Sequence, residues 1–208
     1  MIRAVISDFG GVLTTPLIES FLAYQRETGI ALEDLGAAMG RMMEEDGGRH
    51  PLFELEKGAI TEDEFTRRLG AALGREVSSM RDTYFENLHP NGPMIEYLRG
   101  VRGDGFRLAL LTNNVREWEP LWRAKLPDVD ELFEVVVDSG FVGMRKPEPE
   151  IYELTLQRLG DGLRPEECLF LDDIEVNCDA ARELGMTAVR FHDNEQAIAE
   201  MDAVLGRA

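Results

Sequence analysis

The chain has 208 residues, with 22 Lys and Arg against 40 Asp and Glu, a formal charge of −18 and a sequence pI near 4.5. Its length fits one domain carrying an insertion and is short for two large independent domains, while 44% hydrophobic and 30% charged residues make a globular balance that argues against disorder. So negative a field repels nucleic-acid backbones and anionic membranes, which are excluded as expected partners, and any phosphate site must rest on local cations and backbone N–H groups.

Ala4–Ile6 read as the middle of a buried strand that ends at Ser7 and Asp8 and turns on Gly10 and Gly11, a pattern that presents a carboxylate at a sheet edge. Residues 14–89 contain no convincing strand. Thr15 and Pro16 open a helix that Gly29 can close. Thr61 and Glu64 form a capping box, Ile60 is placed to staple onto Phe65, and Phe65, Leu69 and Leu73 recur at spacing four. Beyond residue 90, short apolar runs at Arg107–Leu111, Val135–Val137, Cys168–Leu171 and Thr187–Phe191 read as strands, each followed by a helix-like segment.

Strands alternating with helices imply an α/β fold with a doubly wound parallel sheet. We expect the core to be built from residues 1–13 and 90–208, with 14–89 inserted after the first strand as a helical cap above the active edge. Ligands in such sheets sit beyond the carboxyl ends of the strands. That edge carries Asp8, Thr112 with Asn113, Asp138, and Asp172 with Asp173.

Four motifs follow in order: Asp8-Phe9-Gly10-Gly11-Val12-Leu13, Leu111-Thr112-Asn113-Asn114, Gly143-Met144-Arg145-Lys146-Pro147-Glu148-Pro149, and Phe170-Leu171-Asp172-Asp173 with Asn177 four residues on. In this order and spacing the chain resembles the haloacid dehalogenase-like hydrolase superfamily over nearly its whole length. The resemblance is closest to the branch with bacterial sugar-phosphate phosphatases and the N-terminal phosphatase-like domain of soluble epoxide hydrolases, carried by VGMRKPEPEIY and FLDDIEVNCDAARELGM.

That resemblance implies a Mg²⁺-dependent hydrolase acting on a small phosphorylated, anionic substrate through an aspartyl-phosphate. It makes Asp8 the nucleophile, Thr112 with Asn113 the phosphoryl-binding pair, and Lys146 the cation that neutralises aspartate and phosphate. Asp173 is expected to ligate the metal directly, with Asp172 orienting Lys146 or a metal-bound water and Asn177 bracing the loop. Elementary chemistry agrees. A carboxylate can form a covalent phosphoryl intermediate, and carboxylates of Asp8 and Asp173 with the Gly10 carbonyl and water form an oxygen set suited to Mg²⁺. An ammonium and hydroxyl or amide donors suit phosphate oxygens.

One position departs from the family pattern. Its phosphatases carry a second Asp two residues after the nucleophile, and here that residue is Gly10. Glycine keeps the backbone carbonyl and loses a general acid–base worth about 10²–10⁴-fold in rate. Three readings remain open: a substrate with a good leaving group, a proton supplied by another residue of the cap or by His50, or slow or absent turnover in a phosphate-binding module. Metal-independent 2-haloacid dehalogenation is the rival chemistry within the family, since halide leaves carbon without protonation. Against it, the Asp172–Asp173 pair would repel an anionic carboxylate substrate and reads as a cation site.

The remaining candidates read as packing. His50, His89 and His192 share no metal spacing. Cys168 and Cys178 are too few for a disulfide framework and suit a reducing cytosol. Met39, Met42 and Met43, and Trp118 with Trp122, fall at helical spacing, with Trp118 close enough to the second motif to meet substrate. Arg116 and Arg145 lie near the motifs and are candidates to steer an anion. The N-terminus meets Asp8 too soon for a signal peptide, so a soluble cytoplasmic protein is expected. No coiled coil or interface stripe sets an oligomeric state.

Overall fold

A computed structural model describes residues 1–207. Five strands form one parallel sheet: β1 (Ala4–Ser7), β2 (Arg107–Thr112), β3 (Val135–Asp138), β4 (Cys168–Asp172) and β5 (Thr187–Arg190), in the order β3-β2-β1-β4-β5. The first strand lies at the centre, and the chain winds outward from it in both directions. The switch of direction therefore falls at the carboxyl end of β1, where ligands of open parallel sheets bind. Ser7 lies opposite Leu110 on one side and Leu171 on the other, so the ends of β1, β2 and β4 come level.

The strands form here because both faces of the sheet are covered. Val5, Leu108, Leu110, Leu169 and Leu171 face one apolar layer, and Ala4, Ile6, Ala109, Leu111 and Phe170 face the other. The first layer is built by α6 (Gly92–Gly103), α7 (Glu119–Lys125), α8 (Val129–Leu132) and α12 (Asn194–Leu205). The second is built by α10 (Pro149–Leu159) and α11 (Glu175–Glu183), and α9 (Ser139–Val142) follows β3 directly.

Between β1 and α6 the chain makes α1 (Leu17–Thr28), α2 (Leu32–Glu45), α3 (Pro51–Glu56), α4 (Glu62–Leu73) and α5 (Arg81–Glu86). These helices carry an apolar cluster of their own, formed by Tyr24, Ile30, Leu35, Ala38, Met42 and Leu69. Their ends follow the sequence signals. Gly29 closes α1 at φ 70°, and the Thr61 hydroxyl accepts from the Glu64 N–H at 3.2 Å. The reciprocal half of that capping box is replaced, because the Glu64 carboxylate takes Arg67 instead. The segments leading into and out of the helical insert are laced together: Thr15 N–H donates to His89 O, Asn91 N–H to Leu13 O, and the Asn91 side chain to Val12 O.

No helix among the described residues is long and apolar enough to cross a membrane. β5 ends one residue short of the expected Phe191, yet the Phe191 N–H still reaches the Asp172 carbonyl at 2.9 Å.

Candidate active site

Asp8 continues β1 by one residue. Its N–H donates to Leu171 O at 2.8 Å, extending the β1–β4 ladder and aiming the residue off the sheet edge. The chain then turns at Gly11, where φ is +78° and an added Cβ would lie 2.5 Å from Asp173 Oδ2. Both the left-handed backbone and the close approach of Asp173 demand glycine there.

Lys146 enters from the loop between α9 and α10 and is 1% exposed. Its Nζ lies 2.6 Å from Asp8 Oδ1 and 2.7 Å from Asp172 Oδ2, so one buried ammonium bridges two carboxylates. Asn113 at the end of β2 sets the lysine's position. Lys146 N–H donates to Asn113 Oδ1 at 2.8 Å, and Asn113 Nδ2 donates back to Lys146 O at 2.9 Å. The expected phosphate donor is thus also a clamp on the lysine loop, with one amide hydrogen already engaged. Asp172 is fully buried and held on three sides, by Lys146, by the Ile174 N–H and by Asn177 Nδ2. One Asp172 side chain thus holds both the lysine and the turn that leads into α11, while the N-cap position itself is Ile174 and has no side-chain cap.

The charge is lopsided. Ligand oxygens of Asp8, Asp172 and Asp173 all lie within 4.8 Å of one another, and among the described residues Lys146 is the one cation in ion-pair contact with any of the three carboxylates. Burial, with the charges of Asp172 and Asp173, pushes the Asp8 carboxyl up to about 7 against the opposing pull of Lys146. Asp173 is likewise raised by burial and by Asp172. Burial works against the Lys146 ammonium, and the Asp172 and Asp8 charges more than restore it, so its pKa is raised.

Asp173 Oδ1 is buried without a hydrogen-bond partner among the described residues. An orphaned carboxylate oxygen beside two further carboxylates is an all-oxygen donor set that fits a hard divalent cation such as Mg²⁺.

Asp8, Thr112, Asn113 and Lys146 line a cavity of about 290 Å³ that extends under the helical insert. Within the acidic group, among the described residues, Asp8 alone reaches that cavity. Asp138 serves elsewhere: it caps α9 through the Gly140 N–H and accepts from Trp122 Nε1 at 3.0 Å. Burial pushes its carboxyl up to about 6. Trp122 is core, whereas Trp118 lines the cavity beside Tyr84 and Phe85. His50 stacks on Phe53 and, among the described residues, is not part of the cavity wall.

Sequence reasoning missed three residues of this site. Glu56, at the end of α3, reaches into the cavity wall and pairs with Arg145 Nε at 2.7 Å, the arginine lying over the Phe53 ring. Burial raises the Glu56 carboxyl against that pairing. Tyr84 of α5 also lines the wall, and burial raises its hydroxyl. Leu17, at the start of α1, sits on Gly10: a Cβ there would meet its two methyl carbons at 3.2 Å. No local signal marks any of the three, because each pairing joins segments distant in sequence or folded across a turn.

A sesquiterpene phosphatase of Aspergillus oryzae is 28% identical over 216 residues, covering 98% of this chain and 97% of that protein. A glyceraldehyde 3-phosphate phosphatase of Methanopyrus kandleri is 32% identical over 205 residues, covering 92% and 84%. Other curated relatives are far longer, and the chain spans only 19% to 39% of their length. Among solved structures, a haloacid dehalogenase family enzyme of Bacteroides thetaiotaomicron in complex with magnesium and inorganic phosphate superimposes with a TM-score of 0.68 at 25% identity, over 91% of this chain and 94% of that one. The family model of the haloacid dehalogenase-like hydrolases matches residues 2–185. With the switch-point aspartate, the buried lysine and the acidic pair all inside that span, the chain belongs to the haloacid dehalogenase-like hydrolases.

Proposed function

We propose that the protein is a Mg²⁺-dependent phosphatase that hydrolyses a small phosphorylated metabolite through a phosphoaspartate on Asp8. The observation that carries this reading is the Asp8 carboxyl at the sheet edge, 2.6 Å from a buried ammonium and sharing its site with an orphaned oxygen of Asp173. Asp8, Asp173 and the Gly10 carbonyl are the groups that would hold the cation, which when bound supplies positive charge to the phosphoryl oxygens.

In this reading an Asp8 oxygen attacks phosphorus and the ester oxygen departs, taking its proton from water because Gly10 has no side chain to offer one. Water then cleaves the acyl phosphate and restores the carboxylate. Lys146 keeps Asp8 oriented and offsets the charge that builds on the phosphoryl group. Thr112 and the remaining donors of Asn113 hold that group in line. Asp172 fixes the lysine, and Asn177 in turn holds Asp172. The phosphatases among the relatives are named for substrates as different as a triose phosphate and a sesquiterpene, so those names support the reaction type and leave the substrate open.

Haloacid dehalogenation is disfavoured by the same charge count. Three carboxylates around one lysine repel a carboxylate substrate unless a cation joins them. The test is inorganic phosphate release from a panel of phosphate esters with Mg²⁺ or with EDTA, run beside Asp8→Asn. Release that requires both Mg²⁺ and Asp8 is expected. Halide release from 2-haloacids in EDTA would reverse the assignment.

A further inference from the structure

We propose that the substrate is the phosphate ester of a long, apolar alcohol, whose hydrocarbon chain fills the cavity under the helical insert while its phosphate meets Asp8. This rests on the phosphatase reading above and adds the substrate class to it.

Asp8, Thr112, Asn113 and Lys146 form one polar part of the cavity wall, and most of the rest is side-chain hydrocarbon. Leu17, Phe21, Leu35, Phe65, Tyr84 and Trp118 bring α1, α2, α4, α5 and the turn after β2 to the same space. The ring centroids of Tyr84 and Trp118 lie 5.0 Å apart, those of Phe21 and Tyr84 5.9 Å, making an aromatic collar next to the catalytic end. A volume of about 290 Å³ falls just below the roughly 300–1,000 Å³ typical of sites that engulf a small organic ligand.

Several of the polar side chains that interrupt the wall are already engaged, while the Trp118 indole N–H is buried there without a partner among the described residues. Glu56 is held by Arg145 at 2.7 Å, Glu62 by Ser79 and Arg81, and the Tyr24 hydroxyl donates to Ser78 O at 3.0 Å. A sugar or polyol carried in this cavity would leave most of its hydroxyls facing hydrocarbon, and those would lose their water without replacement. An alkyl or isoprenoid chain loses nothing there. Gly10 fits the same picture. Where a carboxylate would project beside the nucleophile, Leu17 methyl groups pack instead, at 3.2 Å from the position of a Cβ, and carry the apolar wall to the edge of the phosphate site.

The experiment is a chain-length series. Mg²⁺-dependent phosphate release is measured for butyl, octyl and dodecyl phosphate, with glycerol phosphate and a hexose phosphate alongside. Each methylene buried in the cavity is worth roughly fourfold in kcat/KM, so octyl phosphate is expected to exceed butyl phosphate by about a hundredfold or more, with the gain residing mainly in KM. Alkylphosphonates of the same lengths, titrated calorimetrically into the Mg²⁺-loaded protein, should tighten in parallel without any turnover. Met39→Trp, which adds bulk to the part of the wall that α2 supplies, should move the optimum to shorter chains; Phe65→Trp serves the same purpose from α4 if the first variant does not fold.

A flat or falling series, with the polyol esters turned over as well or better, would overturn the substrate class and leave the phosphatase standing. No Mg²⁺-dependent release from any ester would remove the phosphatase reading itself, and this inference with it.

Discussion

Gly10→Asp restores the carboxylate that the family's phosphatases carry, and its outcome depends on Leu17. The backbone at Gly10 does not need glycine, since its φ lies outside the left-handed region; what an aspartate meets is the side chain of Leu17, with both methyl carbons 3.2 Å from the new Cβ. A general acid contributes about 10²–10⁴-fold, roughly 3–5 kcal/mol. Forcing extra atoms into packed surroundings costs about 1–3 kcal/mol, though the far end of a flexible leucine can yield part of that. The single variant should therefore gain about tenfold in kcat/KM on butyl phosphate, whose alkoxide leaving group needs a proton. Gly10→Asp with Leu17→Ala, in which the obstruction is gone, should gain about another tenfold over the single variant.

An aryl phosphate, whose phenolate leaves without help, should change by less than about threefold in both. The assay is steady-state phosphate release on the two esters, with folding checked by circular dichroism and Mg²⁺ binding by thermal shift. If the folded, Mg²⁺-binding double variant turns over butyl phosphate no faster than Leu17→Ala alone, the missing side chain does not limit the reaction and the reasoning fails.

Further outcomes follow from the buried charges. Lys146→Met leaves Asp8 and Asp172 without their shared counter-ion and should lower stability by about 3–5 kcal/mol in urea unfolding; an unchanged midpoint would show that the ammonium contributes nothing net. Asp173→Asn should abolish the rise in melting temperature caused by Mg²⁺ while leaving the metal-free melting temperature within a few degrees, and a persisting Mg²⁺ shift would remove Asp173 from the ligand set.

Asp138 is raised to about 6 by burial, so the folded state binds its proton more tightly than the unfolded chain does. Its contribution to stability is then present at low pH and lost between about pH 4 and 6, on the order of 3 kcal/mol at most. Asp138→Asn, which never ionises, should gain stability relative to the parent as pH rises through that window. A parent-to-variant difference that stays constant from pH 4 to 7 would count against this account.

Much of the fold was legible because its signals are local. Short apolar runs of three to five residues identified all five strands within a residue, and Gly29, Thr61 and Glu64 marked helix ends where the structure has them. The motif residues were legible for the same reason: each lies within one or two positions of a strand end or a turn, and parallel register brings those ends level.

Tertiary structure alone decided how the site is held and what it faces. Asn113 meets the backbone of Lys146, 33 residues away, and Arg145 meets Glu56, 89 residues away. Leu17 covers Gly10, and helices whose apolar faces read simply as core converge to leave a hydrocarbon-lined space above Asp8. Periodicity says that a face is apolar. Whether that face closes on a neighbour or encloses a void is set by how far apart packing holds the helices, and that distance is not written in any single segment.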